Sequence, residues 1–175
     1  MTPKPKRLLS EEAIAVRVAE VASEISRDYA GHSLHIIGVL KGAFIFLADL
    51  TRQLTVEHHV HFVSVASYGK STVAAGVRLL LDVDADIRDQ HVLIVDDILD
   101  TGATLAYLAE MFAAREPASI KTCVMVRKAK PEAVPALVDY VGFEIPDEWV
   151  VGYGLDYADR FRTLPYIATV EPGTG

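Results

Sequence analysis

Five short apolar runs constrain the fold most strongly, because each has the length of a β-strand. They are LHIIGVL, VEHHVHFVSVASYG, HVLIVDD, SIKTCVMVRK and EWVVGY. Three segments predicted as helices are interspersed among them: SEEAIAVRVAEVASEISRDYAG, GAFIFLADLTRQL and TLAYLAEMFAAREP, which stops near Pro117. Ser10 could cap the first helix, Gly31 could end it, and its helically spaced apolar positions are Ile14, Val18, Val21 and Ile25. Nearly continuous apolar strands alternating with helices predict an α/β fold with a parallel sheet covered on both faces.

The length of 175 residues fits one domain, and no internal repeat or low-complexity linker divides the chain. We therefore predict a single domain over residues 1–175. The stretch from Gly69 to Arg88 is different, because glycines and small polar residues precede a short apolar run. Its first half predicts a mobile loop and its second half an extra strand, and the tail at about 171–175 is predicted to be loose.

Charge and cysteine content disfavour some classes of partner and favour one kind of compartment. The net charge is -7, which makes nucleic acid and anionic membranes poor partners. Cys123 is the only cysteine, so an intrachain disulfide is impossible and a reducing compartment is favoured. The sequence shows neither a signal peptide nor a run long enough for a membrane helix. We expect a cytoplasmic protein.

The stretch VLIVDDILDTGATL, Val92 to Leu105, carries the chemistry. Asp96 and Asp97 follow a buried strand, and ligands of parallel α/β sheets bind beyond the carboxyl ends of strands. The turn to the next helix offers unpaired backbone N–H groups, close backbone approach at Gly102 and hydroxyls at Thr101 and Thr104, which together suit phosphate.

Carboxylates beside a phosphate site need another task, and binding sugar hydroxyls or a hard metal ion is such a task. The stretch therefore predicts a site for a phosphorylated sugar. The simpler interpretation is a helix start with Asp100 as a plain cap and the two preceding acids as a solvated strand end. The combination of three acids with a Thr-Gly-x-Thr turn favours the functional interpretation.

This stretch resembles the signature of the phosphoribosyltransferases, which bind 5-phosphoribosyl 1-pyrophosphate (PRPP). The resemblance continues through GVLKGAFIFLADL, SYGKST, VRKAKP and IPDEWVVGYGLDYADRFRTLPYI, covering about Leu34 to Ile167. The last stretches are similar to the hypoxanthine (guanine) phosphoribosyltransferases in particular. The resemblance implies a type I phosphoribosyltransferase-like parallel sheet with helices on both faces and a small C-terminal hood.

The implied reaction joins hypoxanthine or guanine to ribose 5-phosphate, expels pyrophosphate and passes through an oxocarbenium-like sugar. In that reaction Asp96 and Asp97 hold the ribose hydroxyls directly or through Mg²⁺, the implied cofactor. Many relatives carry Glu-Asp where this chain has Asp-Asp. Asp100 is the general base at the purine N7, and the 5′-phosphate is cradled by Asp100, Thr101, Gly102, Ala103 and Thr104.

The resemblance assigns the remaining site residues as well. Lys41 and Gly42 form a pyrophosphate loop with a non-proline cis peptide at Leu40–Lys41, and Arg162 also contacts pyrophosphate. Ser67 and Tyr68 belong to a lid loop at about 67–78. Purine is bound by Lys128 at O6, by the Trp149 ring through stacking and by the Val150 backbone, while Asp156 ligates Mg²⁺. Arg127 and Lys130 are then expected to be solvated, and the family predicts a homodimer or homotetramer.

Two other candidate sites are weaker. In EHHVHF, His59 and His61 share one face of a strand while His58 points away, and neither an acid nor a cysteine lies at ligand spacing, so a metal site is disfavoured. Cys123 lies within a predicted strand and is expected to be an inert buried thiol.

Two alternative functions stay open. One is a PRPP-binding transcription regulator of the same fold without useful catalysis, against which the acidic charge and the presence of Asp100 argue. The other is the same enzyme class with xanthine as the main base. Uracil is disfavoured by the pairing of Lys128 with Trp149.

Overall fold

The computed structural model describes residues 4–67, 77–130 and 138–171. Within these ranges the helices are α1 (Glu11–Asp28), α2 (Phe44–Thr51) and α3 (Ala103–Ala113). The strands are β1 (Lys6–Leu9), β2 (Leu34–Leu40), β3 (His58–Ser67), β4 (Val77–Leu81), β5 (His91–Leu99), β6 (Ser119–Lys128), β7 (Tyr140–Ile145), β8 (Val150–Val151) and β9 (Ile167–Thr169).

The central sheet has the strand order β4-β3-β2-β5-β6-β7. Neighbours from β3 to β7 pair in parallel, and β4 pairs antiparallel with β3 at the edge. The predicted parallel sheet and the predicted extra strand are therefore confirmed. Strand β7 was not predicted from the apolar pattern, because Gly142 and Glu144 interrupt it. Gly142 packs so closely on β6 that a Cβ there would overlap the Met125 carbonyl oxygen.

Both faces of the sheet are covered, as predicted. Helices α1 and α2 pack on one face, where Ile36 of β2 is buried, and α3 packs on the other, where Ile37 is buried. Because successive side chains of a strand point to opposite faces, two covered faces require the continuous apolar runs seen in the sequence. The N-cap of α1 is confirmed, since the Ala13 N–H donates to Ser10 Oγ at 3.1 Å.

A second, three-stranded antiparallel sheet forms the predicted hood, with the order β1-β9-β8. The run EWVVGY contributes only Val150 and Val151 to it, and the backbone leaves the extended conformation at Gly152, where φ is +94°. The N-terminal strand β1 completes this sheet, which the apolar pattern did not predict.

Some sequence predictions fall outside the described ranges. Residues 68–76 of the predicted lid and 172–175 of the predicted loose tail are not described, whereas Ser67 is the last residue of β3. None of the helices in the described ranges combines the length with the apolar character needed to cross a bilayer.

Candidate active site

A cleft of about 230 Å³ lies at the carboxyl ends of β2 and β5. Its walls bring together two predicted groups of residues, the loop after β2 and the acidic turn after β5. Residues from these groups that line it are Leu40, Gly42, Asp96, Asp97, Asp100, Thr101, Gly102 and Thr104. The location is the one that parallel α/β sheets use for ligands.

The turn into α3 presents backbone N–H groups that have no partner within the helix. Its N-cap is Gly102, with φ +85°, so the interpretation of Asp100 as a plain helix cap is wrong. Glycine adopts this left-handed conformation without the steric cost that a side chain would add. Thr101 Oγ1 accepts from the Ala103 N–H at 3.4 Å, which leaves later N–H groups of the first turn directed at the cleft end of the helix. An anion such as phosphate is favoured there.

The acid pair is held in an environment that disfavours two negative charges. Asp96 is buried, and its Oδ1 accepts from the Asp97 N–H at 2.8 Å. Burial raises the pKa of Asp96 well above its usual value, and the charge of Asp97 raises it further. Burial also raises the pKa of Asp97, although the hydrogen bond with the Asp96 side chain and hydrogen bonds with backbone groups partly oppose the shift. A cation or hydroxyl donors in the cleft would stabilise the charged pair.

The same pair fits a magnesium ion shared with a substrate. In the described part of the chain, no cluster of three or more His, Cys, Asp or Glu side chains is arranged to hold a metal. Mg²⁺ commonly uses one or two protein carboxylates together with water and substrate phosphates. Two adjacent carboxylates in a cleft that also suits phosphate meet that description. The third predicted metal ligand, Asp156, is paired with a cation: its Oδ1 is 2.9 Å from Arg162 Nη2.

The loop after β2 contains the cis peptide Leu40–Lys41 that the resemblance implied. A Cβ at Gly42 would overlap the Asp97 carboxylate, so only glycine allows the loop to approach the acid pair this closely. A Cβ at Gly154 would in turn overlap the Gly42 carbonyl oxygen. The loop is therefore packed between the acid pair and the segment that follows β8.

Both predicted pyrophosphate cations contact one acid that the sequence did not single out. Lys41 Nζ lies 3.3 Å from Asp159 Oδ2, and Arg162 Nη2 lies 3.0 Å from Asp159 Oδ1. The hydrogen bonds from Arg162 and then Lys41 lower the pKa of Asp159. Arg162 also donates to the Gly154 carbonyl at 2.8 Å, which ties it to the hood segment.

The predicted purine residues converge at the end of β6. Lys128 is almost completely buried, with 8% of its side chain exposed, and its Nζ lies 3.6 Å from Asp100 Oδ2. The same Nζ lies 5.8 Å from the centroid of the Trp149 ring. Trp149 itself is 57% exposed, and its ring meets the Tyr157 ring at 88° with a centroid separation of 6.1 Å, so the side chain is accessible to a flat ligand. The Val150 side chain is buried in the hood.

The prediction that Lys130 is solvated is wrong. Its Nζ is in direct contact with Asp100 Oδ1 and lies 3.3 Å from Asp147 Oδ1, and a quarter of its side chain is exposed. The i, i+2 spacing of Lys128 and Lys130 in an extended segment could have signalled that both face the same way. Asp147 was missed altogether. Arg127, by contrast, turns to the surface and pairs with Glu144.

Neither of the two weaker candidate sites shows catalytic chemistry. Burial raises the pKa of the free thiol of Cys123, which agrees with an inert core residue. His59 and His61 do share a face, where the rings stand beside His35, and His35 Nδ1 lies 3.0 Å from His61 Nε2. The ring of His58 instead contacts the Val56 carbonyl at 2.8 Å.

The chain is similar in sequence to proteins of known function. The family profile described as "Phosphoribosyl transferase domain" matches residues 5–158. The hypoxanthine-guanine phosphoribosyltransferase of Mycobacterium tuberculosis H37Rv is 46% identical over 174 residues, covering 94% of this chain and 85% of the relative. The hypoxanthine phosphoribosyltransferase of Escherichia coli K12 is 43% identical over 166 residues, covering 93% of each chain.

Solved structures agree with the sequence matches. A hypoxanthine-guanine phosphoribosyltransferase from Bacillus anthracis superposes with a TM-score of 0.91 at 41% identity, covering 95% of this chain and 98% of that one. The hypoxanthine phosphoribosyltransferase of Trypanosoma cruzi, in complex with the product IMP, gives a TM-score of 0.89 at 45% identity, covering 95% and 94%. On its sequence and its fold, the chain belongs to the phosphoribosyltransferase family.

Proposed function

We propose that the chain is a purine salvage enzyme that transfers the 5-phosphoribosyl group from PRPP to hypoxanthine or guanine. The products are IMP or GMP and pyrophosphate, and residues 1–175 act as one domain. The observation that carries this proposal is the pair formed by Asp100 Oδ2 and Lys128 Nζ, 3.6 Å apart beside the exposed Trp149 ring. The names of the relatives support the same substrate class.

The Asp100 and Lys128 pair complements one edge of a 6-oxopurine. That edge carries N7 next to O6, so a purine protonated at N7 presents a donor beside an acceptor. Asp100 accepts from N7–H and Lys128 donates to O6. Adenine carries an amino group in place of O6, so it offers Lys128 no hydrogen-bond acceptor at that position. Trp149 supplies a stacking surface for any purine.

The turn and the acid pair suit the phosphoribosyl group. Backbone N–H groups and hydroxyls between Asp100 and Thr104 bind the 5′-phosphate, and Asp96 and Asp97 accept hydrogen bonds from the ribose hydroxyls. Both acids remain close to C1′ as positive charge develops on the sugar. Their negative charge is worth more in this buried setting than in water, because the local dielectric is lower.

The loop after β2 and the hood supply the pyrophosphate contacts. Lys41, Gly42 and Arg162 bind this anion in our proposal. Asp159 holds both cations together before substrate binds, and the pyrophosphate group takes its place. The Lys41–Asp159 pair is largely exposed, with 68% of the Lys41 side chain and 63% of the Asp159 side chain accessible, so displacing it costs little.

Magnesium is part of the proposal, with Asp96 and Asp97 or Asp156 as its protein ligands. Bound Mg²⁺ would neutralise the dense negative charge of the leaving pyrophosphate. The donor set supports it, since burial and mutual repulsion raise the pKa of Asp96 where a divalent cation would lower it.

In the transfer step N9 of the base attacks C1′ of the sugar. The bond from C1′ to the pyrophosphate oxygen breaks, and its electron pair leaves with pyrophosphate. Asp100 takes the proton from N7, so the purine becomes neutral as the N9–C1′ bond forms. Ser67 and Tyr68 belong to the proposed lid, whose role is to exclude water from the reactive sugar.

Assembly and location complete the proposal. We infer a homodimer or homotetramer, supported by exposed apolar residues on the edge strand β4 and its neighbour β3: Val60, Phe62, Leu80 and Leu81. Contiguous exposed apolar surface commonly marks a protein interface. A cytoplasmic location agrees with the single cysteine, which is free and buried. Partners are the small-molecule substrates rather than nucleic acid or membrane.

One experiment tests the activity. The purified protein is mixed with PRPP, Mg²⁺ and a base, with hypoxanthine, guanine and xanthine tried separately, and the nucleotide and pyrophosphate are quantified by chromatography. Equal amounts of the two products are expected. A folded protein that binds PRPP but forms no nucleotide with any base would contradict the proposal and favour the regulator.

A further inference from the structure

Four charged side chains at the base pocket form a closed ring of alternating sign. Asp100 contacts Lys130 through Oδ1 and lies 3.6 Å from Lys128 through Oδ2. Asp147 Oδ1 completes the ring, at 3.4 Å from Lys128 Nζ and 3.3 Å from Lys130 Nζ. Each oxygen of the proposed general base therefore faces a different ammonium group.

The two ammonium groups lie at different distances from Asp100. Lys130 is in direct contact, whereas the 3.6 Å separation of Lys128 exceeds hydrogen-bond range. Lys128 also lies over the Trp149 ring, with its Nζ 5.8 Å from the ring centroid. A base can therefore separate Lys128 from Asp100 at small cost and leave the Lys130 contact intact.

We propose that Lys130 is a positioning residue, which holds Asp100 Oδ1 so that Oδ2 faces N7 of the incoming purine. The inference rests on the proposed function, because it assigns Lys130 a role through the base Asp100. In this proposal Lys130 acts through Asp100 and does not itself contact the reacting atoms.

The ring explains how the pocket keeps its charges paired during this exchange. When Lys128 turns to O6, Asp147 remains near both lysines and Lys130 remains on Asp100. The carboxylate is then fixed at one oxygen while the other accepts the proton. The contact with Asp100 raises the pKa of Lys130, so its ammonium group stays charged at neutral pH.

The test is the single-turnover rate of IMP formation from enzyme-bound PRPP and hypoxanthine, which excludes product release. Lys130→Met keeps the length of the side chain but removes the charge, and a misplaced catalytic group commonly costs about 10- to 100-fold. We expect a loss of that size, with PRPP affinity unchanged and Tm lowered by no more than about 2–4 °C, because the lost ion pairs are partly exposed. Lys130→Arg should restore most of the rate. Arg127→Met is the matched control, because that cation pairs with Glu144, and its rate should equal wild type.

Combining the Lys130 and Asp100 substitutions distinguishes a positioning role of Lys130 from other roles. In the Asp100→Asn background, Lys130→Met should cause no further loss, because residues that act through one group are not additive. An equal loss in both backgrounds would overturn the inference, as would a normal rate for Lys130→Met or an effect confined to the KM for the base. An inactive wild-type protein would refute the proposed function itself, which the wild-type measurement reports first.

Discussion

Asp100→Asn is the substitution that best separates catalysis from structure at this site. Asparagine keeps the size of the side chain but cannot accept a proton from N7. General-base help is commonly worth about 10²–10⁴-fold, so we expect the single-turnover rate of IMP formation to fall by that factor. PRPP affinity should remain near wild type, because in the proposal the phosphate is bound mainly by backbone N–H groups and threonine hydroxyls.

The cost in stability follows from the contacts of Asp100. The helix start is unaffected, since Gly102 is the N-cap of α3. Two ion pairs weaken, but 44% of the Asp100 side chain is exposed, so about 1 kcal/mol or less is lost. For a chain of this size that corresponds to a fall in Tm of about 2–4 °C at most. A near-normal rate would refute Asp100 as the base, and a parallel loss of PRPP binding would show that the turn itself had been disrupted.

Three further changes test separate parts of the site. Lys128→Ala should weaken the binding of 6-oxopurines by about 1.5–3 kcal/mol, whereas Trp149→Ala should weaken all purines alike by about 1–3 kcal/mol, and titration calorimetry with hypoxanthine and adenine distinguishes the two. Excess chelator should abolish turnover and leave the circular dichroism spectrum unchanged; undiminished activity would contradict a role for Mg²⁺. Asp96→Asn should raise Tm at neutral pH and lower activity. Because the pKa of Asp96 is raised in the folded protein, the wild type loses stability as pH rises through that value, so the gain in Tm should vanish at acidic pH where Asp96 is protonated.

The central sheet could be predicted from the sequence because burial on both faces requires strands with continuous apolar runs. Strand β5 reads as an uninterrupted apolar run, and Leu93 and Ile94 enter opposite cores. Helix α1 was predictable for a similar reason, since its buried positions recur at helical spacing and Ser10 caps it. The position of the cleft followed from the end of β5.

Other features depend on contacts between residues far apart in the sequence. Strand β7 lacks a continuous apolar run, and β1 joins the hood only by pairing with β9. The approach of Lys130 and Asp147 to Asp100 depends on how the end of β6 meets the segment before β8. Likewise, Asp159 bridges Lys41 and Arg162 only because the hood segment packs on the loop after β2. Sequence spacing alone contains no information on these distances.

The most direct measurement of the central claim is kcat/KM for five bases in parallel: hypoxanthine, guanine, xanthine, adenine and uracil, each with PRPP and Mg²⁺. If Asp100 and Lys128 read the N7 and O6 edge, hypoxanthine or guanine should be the best substrate, and adenine should react at least about 100-fold more slowly, because a buried hydrogen-bonding group would lose its partner. Xanthine carries the same edge, so its rank decides between the two salvage alternatives. A preference for adenine or uracil would contradict the account.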